Sequence, residues 1–214
     1  TTQGDVPIHY TLDGSEPTAA SPRYTGPVEI GKSARFRATA LREGGENASY
    51  SREFAFSKST GRPAVLNTKP NDSYTFEGAS LLVDGYHSRP VFTSGAWLGY
   101  LDEPLDVTID MGGEQSYRSV ELETLAEKGD WIFPPSSVTV WVSDNGTDFT
   151  EVASVAVPEA KAGDADGIGR YRMQFPETSA RYLKVVAQNA AAIPAWHPGA
   201  GSKGFLFVDE VVVE

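Results

Sequence analysis

No cysteine occurs among the 214 residues, which removes disulfide frameworks, thiolate zinc sites, iron–sulfur clusters and thiol nucleophiles together. Long apolar runs are missing as well. The longest, such as residues 205–208, fall far short of the roughly 20 residues a membrane-spanning helix needs, so no membrane-spanning segment is expected. Positive charge is scarce, with 18 Lys and Arg against 29 Asp and Glu and a formal net charge of −11. Affinity for phosphate backbones comes from clustered Lys and Arg, which excludes a nucleic-acid partner. An anionic membrane surface would repel the chain for the same reason. The histidines His9, His87 and His197 are far apart, with no H-E-x-x-H or H-x-H among them, which argues against a zinc site. No Gly-x-Ser-x-Gly elbow is present, and no base, nucleophile and electrophile come together, so these residues are not read as an enzyme.

Helical periodicity is equally absent. No window of a dozen residues keeps apolar positions at i, i+3, i+4 and i+7, and 14 prolines and 21 glycines punctuate the chain. What is present is alternation of period two, at residues 8–12, 34–41, 107–111, 119–124, 138–142, 170–175, 182–187 and 205–213. After the valines at 138, 140 and 142 comes Asp144-Asn145-Gly146, whose Asn-Gly step favours a tight hairpin turn. Many short strands between turn clusters predict an all-β protein, a sandwich or barrel. A polar Gly/Pro stretch at residues 57–63 separates two strand-rich regions, giving domains at 1–57 and 58–214. The first carries a net charge of −1 and the second −10. The opening Thr1-Thr2-Gln3-Gly4 has no signal-peptide pattern and starts mid-pattern, so the chain is expected to be a piece of a longer protein.

Two glycine motifs fail on context. Gly26-Pro27-Val28-Glu29-Ile30-Gly31-Lys32-Ser33 matches the spacing of a phosphate-binding loop, but residues 27–30 read as strand and residues 34–41 as another strand, where a helix is required. Gly199-Ala200-Gly201-Ser202-Lys203-Gly204 likewise runs into the strand-like Phe205-Leu206-Phe207-Val208. Asp209 and Glu210, neighbours on a strand, should point to opposite faces and form no dyad, while Asp106 and Asp110 read as solvated strand-end charges. Asn47, Asn71 and Asn145 begin formal glycosylation sequons.

One feature survives. Trp131, in Asp130-Trp131-Ile132-Phe133-Pro134-Pro135, and Trp196, in Ala195-Trp196-His197-Pro198-Gly199, lie beside Pro and Gly, outside regular alternation. An indole face with polar neighbours suits a sugar ring, whose C–H face stacks on aromatics. The alternative is that both indoles plug the ends of a sandwich core. Their exposure decides between these readings.

The run Ile8-His9-Tyr10-Thr11-Leu12-Asp13-Gly14-Ser15-Glu16-Pro17-Thr18, continuing through Ser21-Pro22, Tyr24 and Gly26-Pro27, resembles the small β-sandwich at the C-terminal end of chitobiases and family 20 β-hexosaminidases. Tyr24 is expected to be a core aromatic, and an upstream edge strand is expected to be missing. The remainder resembles a discoidin, or factor 5/8 type C, domain, a galactose-binding-like jelly roll that includes family 32 carbohydrate-binding modules. The matching stretches are Leu82-Val83-Asp84-Gly85, Trp97-Leu98-Gly99-Tyr100, Val107-Thr108-Ile109-Asp110-Met111-Gly112, Trp131-Ile132-Phe133-Pro134-Pro135, Ala180-Arg181-Tyr182-Leu183-Lys184-Val185 and the final Phe205-Leu206-Phe207-Val208-Asp209-Glu210-Val211. The fold implied is a fibronectin/Ig-like sandwich followed by a discoidin jelly roll.

Both halves resemble the tail of family 20 β-N-acetylhexosaminidases. That resemblance implies a non-catalytic, carbohydrate-binding accessory region of a bacterial glycoside hydrolase, periplasmic, cell-surface or secreted. Catalysis in that family belongs to an upstream barrel, which is the implied partner domain. The implied ligand is an N-acetylhexosamine- or galactose-containing glycan, stacked on Trp131 or Trp196 and hydrogen-bonded by His87, Arg89, Asn189 and His197. The implied cofactor is one calcium ion, held by the Leu81 carbonyl, Asp84 and Glu210. Two other functions stay open: a purely structural tail packed on the barrel, and a free adhesion module.

Overall fold

The computed structural model describes residues 6–42, 44 and 47–214. The chain divides into two compact units, Thr1–Phe56 and Ser57–Glu214. Among the described residues every long element is a strand, and the only helical pieces are short 3₁₀ turns such as Gly78–Leu82 and Lys128–Asp130.

The described part of the first unit is one antiparallel sheet, ordered β1 (Ile8–Thr11), β2 (Ala34–Ala40), β3 (Ala48–Phe54). Register aligns Tyr10 with Ala38 and Ala38 with Tyr50, so one face carries Tyr10, Phe36 and Tyr50, with the Phe36 ring 5.9 Å from Tyr10 and 6.3 Å from Tyr50. The Asp13-Gly14 step turns as its chemistry dictates: the Asp13 carboxylate accepts the Ser15 amide at 2.9 Å, and Gly14 takes φ +83°. Two expectations fail here. Residues 27–30 form no strand. Tyr24 is 44% exposed instead of buried, because no second sheet closes over this one among the described residues. Its segment instead zips along β1, with the Tyr24 amide donating to the Ile8 carbonyl at 2.8 Å and the Tyr10 amide to the Pro22 carbonyl at 2.9 Å.

The second unit contains β4 (Ala64–Leu66), β5 (Leu98–Tyr100), β6 (Leu105–Ala126), β7 (Ser137–Ser143), β8 (Thr150–Ala156), β9 (Gly167–Gln188) and β10 (Leu206–Val213). The ladder runs β5-β10-β6-β9-β7-β8, with β4 also on β6. β6 and β9 each span 22 residues, and their mutual register breaks between Asp110 and Gln115 and again between Tyr117 and Ser119. Gly112 at φ +79° lies in that break. Before it, β6 pairs with β4 and the late half of β9, which pairs onward to β7. After it, β6 pairs with β10 and the early half of β9. The two long strands thus pass from one layer to the other, and the result is a jelly-roll sandwich.

Alternation supplies the core between the layers: Leu105, Val107, Ile109 and Met111 from one, and Val120, Leu122, Val208 and Val211 from the other, are all buried. A second, smaller cluster of Trp97, Leu125, Ile132 and Phe207 covers the outer side of the β5–β10 edge. The loop carrying Asn145 does join β7 to β8, but over residues 144–149 rather than as a two-residue turn. The Asn145 carboxamide oxygen accepts the Thr147 and Asp148 amides at 2.9 Å each, and this bonding organises the longer loop.

Candidate functional site

Trp131 follows the Lys128–Asp130 turn with φ +64°, a left-handed conformation that costs a side-chain-bearing residue roughly 1–2 kcal/mol. Its surroundings over-determine it. The Trp131 amide donates to the Lys128 carbonyl at 3.0 Å, and its carbonyl accepts the Phe205 amide at 2.8 Å. Lys128 is itself buried, its ammonium held by the Asp164 carbonyl at 2.9 Å and by the Asp166 carboxylate. A hydrogen bond from Lys128 holds the Asp166 carboxyl below the usual carboxylate range.

Trp196 and His197 come from the loop between β9 and β10. The buried imidazole is the keystone. Its Nδ1 accepts the Gly199 amide at 3.0 Å, which leaves Nε2 to donate to the Lys128 carbonyl at 2.9 Å. Its ring meets Trp131, Phe133 and Trp196 edge-on, at centroid distances of 5.9, 5.5 and 5.6 Å. Gly199 admits the Trp131 ring: a Cβ there would stand 2.8 Å from its outer carbons. Trp196 is anchored through its ring amine to the Ala160 carbonyl at 3.0 Å. Both indoles still face solvent, Trp131 at 42% and Trp196 at 40% exposure, while Trp97 of the inner cluster is fully buried. They do not plug the core.

Of the residues the sequence nominated, Trp131, Trp196 and His197 therefore come together. The others are placed in different contacts. His87 pairs through Nδ1 with the Glu123 carboxylate at 2.9 Å. Asn189 donates to the Tyr100 and Leu101 carbonyls at 3.1 and 3.3 Å. Arg89 is exposed, and its carbonyl accepts the Trp97 ring amine at 3.0 Å. Among the described residues no ring contact or hydrogen bond joins these three to the indoles. Sequence reasoning missed Lys128, Asp166 and Phe133, which hold the aromatic loops in place. Only Phe133 carried a local signal, its position two residues after Trp131 in a Pro-flanked segment.

A second cluster lies against β10. The register of β10 on β6 shifts between Val208 and Val211, so strict alternation does not apply to Asp209 and Glu210. Both are buried and both face residues 85–88: the Ser88 amide donates to Asp209 at 2.7 Å and the Gly85 amide to Glu210 at 3.2 Å. The opposite-face expectation for this pair is thereby corrected. Burial, followed by the charges of Asp84 and Asp209, pushes Glu210 up to about 9. Burial, with the charges of Glu123 and Asp84, pushes Asp209 up to about 8. Glu210 Oε2 is buried with no hydrogen-bond partner, and no basic side chain pairs with this residue among the described salt bridges. Asp84 caps its own turn, accepting the Tyr86 amide at 2.7 Å. Leu81 ends up in the core, in the Gly78–Leu82 turn.

Glu123 has the opposite environment. Burial raises its carboxyl, but hydrogen bonds from His87 and Arg170 outweigh that and hold it below the ordinary glutamate value. The same contact with Glu123 raises His87.

The model of the F5/8 type C domain matches residues 67–203, about two thirds of the chain. The chain belongs to the F5/8 type C domain family. The model described as Fn3 associated matches residues 1–54. Among solved structures, chitosan-binding module 1 from the chitosanase/glucanase of Paenibacillus sp. IK-5 is similar at 17% identity and TM-score 0.48, over 74% of this chain and 98% of that one. CpGH89CBM32-5 from Clostridium perfringens, solved with GalNAc-β-1,3-galactose, is similar at 17% identity and TM-score 0.48, over 71% of this chain and 93% of that one. A Streptococcus pneumoniae fucose-binding module is 22% identical with TM-score 0.46, over 74% of this chain and 94% of that one. No curated protein matches in sequence.

The family implies a cation, and the acidic pocket of the F5/8 type C domain tests whether its residues fit one. An orphaned, buried oxygen of Glu210 beside further carboxylates is a hard-oxygen environment suited to calcium. Among the described residues no three His, Cys, Asp or Glu side chains stand close enough to share an ion. A cation here would need backbone carbonyls and water to complete its shell.

Proposed function

We propose that the F5/8 type C domain binds glycan through Trp131 and Trp196 and serves as a non-catalytic accessory region of a bacterial glycoside hydrolase acting outside the cytoplasm. The observation that carries this is the pair of indoles held out to solvent around a buried, fully bonded imidazole. Such a platform is pre-organised, so little side-chain entropy is lost when a sugar face stacks on it. By resemblance of its two halves the parent is a β-N-acetylhexosaminidase, and the glycan contains N-acetylhexosamine or galactose. Binding then tethers the upstream catalytic domain near its substrate and raises the local concentration.

Calcium is assigned to Asp84, Glu210 and the Leu81 carbonyl. When bound it would supply positive charge beside the buried Glu210. Glu210 would ionise around it, and the loop of residues 84–88 would be fixed against β10.

A glycan array probed with the whole chain, with and without calcium, tests the reading. Enrichment on N-acetylhexosamine or galactose termini, lost in the Trp131→Ala/Trp196→Ala variant, is the expected result. Uniform absence of binding would leave the indoles as a surface that a neighbouring domain covers, the structural-tail reading.

A further inference from the structure

A cavity of about 350 Å³ opens beside Trp196, walled by hydrocarbon from Pro135, Val157, Pro158, Ala192 and Ile193, with Phe133 closing one side. The indole stands at its rim: the Ala160 carbonyl that holds its ring amine belongs to the wall, and the Phe133 ring lies 6.4 Å from it. Side chains of the wall offer few polar groups. The Ser136 hydroxyl is engaged, donating to the Asn189 carbonyl at 2.9 Å, and Glu159 is turned to solvent. Backbone amides are available instead, because those of the wall residues Ala190, Ala191 and Ala192 have no acceptor in the protein among the described residues.

That combination selects among sugars. The volume is at the small end for a ligand site and suits one substituted pyranose. A hexose bearing only hydroxyls would press them against methyl and pyrrolidine groups without partners, which is costly. An acetamido group offers a methyl for the apolar wall and a carbonyl for a free backbone amide. We propose that this cavity is the specificity pocket of the glycan site and seats the acetamido group of an N-acetylated hexosamine whose ring stacks on Trp196. The assignment rests on the glycan-binding reading above and narrows it from two sugar classes to one.

Titration calorimetry on the whole chain, with the methyl glycosides of N-acetylglucosamine and glucose and of N-acetylgalactosamine and galactose, separates the two claims. For whichever ring binds, the N-acetylated member should bind roughly tenfold more tightly, the combined effect of one buried methyl and one hydrogen bond. Ala192→Leu, which fills the pocket and leaves both indoles in place, should erase that preference while keeping hexose binding. Equal affinity within each pair, in a protein whose binding disappears in Trp131→Ala/Trp196→Ala, overturns the pocket and leaves the platform standing. If no sugar of either kind binds, or if binding ignores the tryptophans, the platform fails and the pocket falls with it. The comparison within pairs needs only the unaltered chain, so it decides the matter even where Ala192→Leu does not fold.

Discussion

Two places in the F5/8 type C domain treat burial in opposite ways. At the aromatic loops the polar groups are buried and satisfied, both nitrogens of His197 and the Lys128 ammonium among them, while large apolar rings face water. At the β10 bulge the polar groups are buried and only partly satisfied: Glu210 keeps an oxygen without a partner and shares its surroundings with other acids. The first arrangement is complete within the protein and leaves over a surface for something else. The second leaves Glu210 without a positive partner among the described salt bridges. Glu123, one strand away, shows that the fold can supply such a charge through His87 and Arg170 when the position is structural.

Calcium should therefore have the largest effect. At calcium well above its dissociation constant, linkage contributes up to about 4 kcal/mol, which for a unit of this size raises the melting midpoint by roughly 10 °C relative to chelator. Glu210→Gln should abolish the difference, since it removes the carboxylate that would hold the ion. Identical midpoints with and without calcium would remove the ion from the account.

His197→Ala comes next. It leaves the Gly199 amide unpaired and takes one of two hydrogen bonds from the Lys128 carbonyl beneath two indoles, and should lower stability by roughly 2–3 kcal/mol in denaturant titration, with a red-shifted tryptophan emission. A variant as stable as the parent would show that the loops need no keystone.

Gly199→Ala is gentler. The added methyl would stand 2.8 Å from Trp131, so that ring must move, at a cost of about 1 kcal/mol or somewhat more. Glycan affinity should fall while the melting curve keeps its shape. Unchanged affinity would assign the platform to Trp196 alone.

The smallest effect belongs to a pair remote from both sites. Arg181 forks onto Asp110 at 2.8 and 2.9 Å, and this hydrogen bonding lowers the Asp110 carboxyl to about 2. A depressed folded value means stability that is present above the ordinary 3.8 and lost as pH falls through that value toward 2. In Arg181→Gln, stability measured between pH 4 and pH 2 should fall less steeply than in the parent. An unchanged acid limb would show that the pair contributes nothing.

The contrast between the two places also explains what could be read from the residues beforehand. Trp131 and Trp196 were visible because Pro and Gly beside them mark loops, and an indole in a loop has few local reasons to be there. The strands were visible through alternation, although β6 and β9 each looked like two strands, since Gly112-Gly113 and Pro176 interrupt a pattern that the backbone nevertheless carries through. The bulge was invisible. Nothing in Val208-Asp209-Glu210-Val211 announces a register shift, so alternation placed two acids on opposite faces that in fact meet one loop. Partners far away in sequence were likewise hidden. His87 and Asn189 looked free to bind a ligand until the fold brought Glu123 and the Tyr100 carbonyl beside them. Tyr24 looked like core because aromatics before strands usually are, and it is exposed because the sheet it lies on has one open face among the described residues.

The central claim is that the indoles were left outside to hold sugar. Its most direct test is titration calorimetry of the whole chain and of Trp131→Ala/Trp196→Ala with an N-acetylhexosamine-terminated oligosaccharide, both proteins first shown to melt cooperatively in calcium. Loss of at least about 1 kcal/mol of binding free energy per removed ring, enough to abolish a weak interaction, is the predicted result. Undiminished affinity in the folded double variant would contradict it.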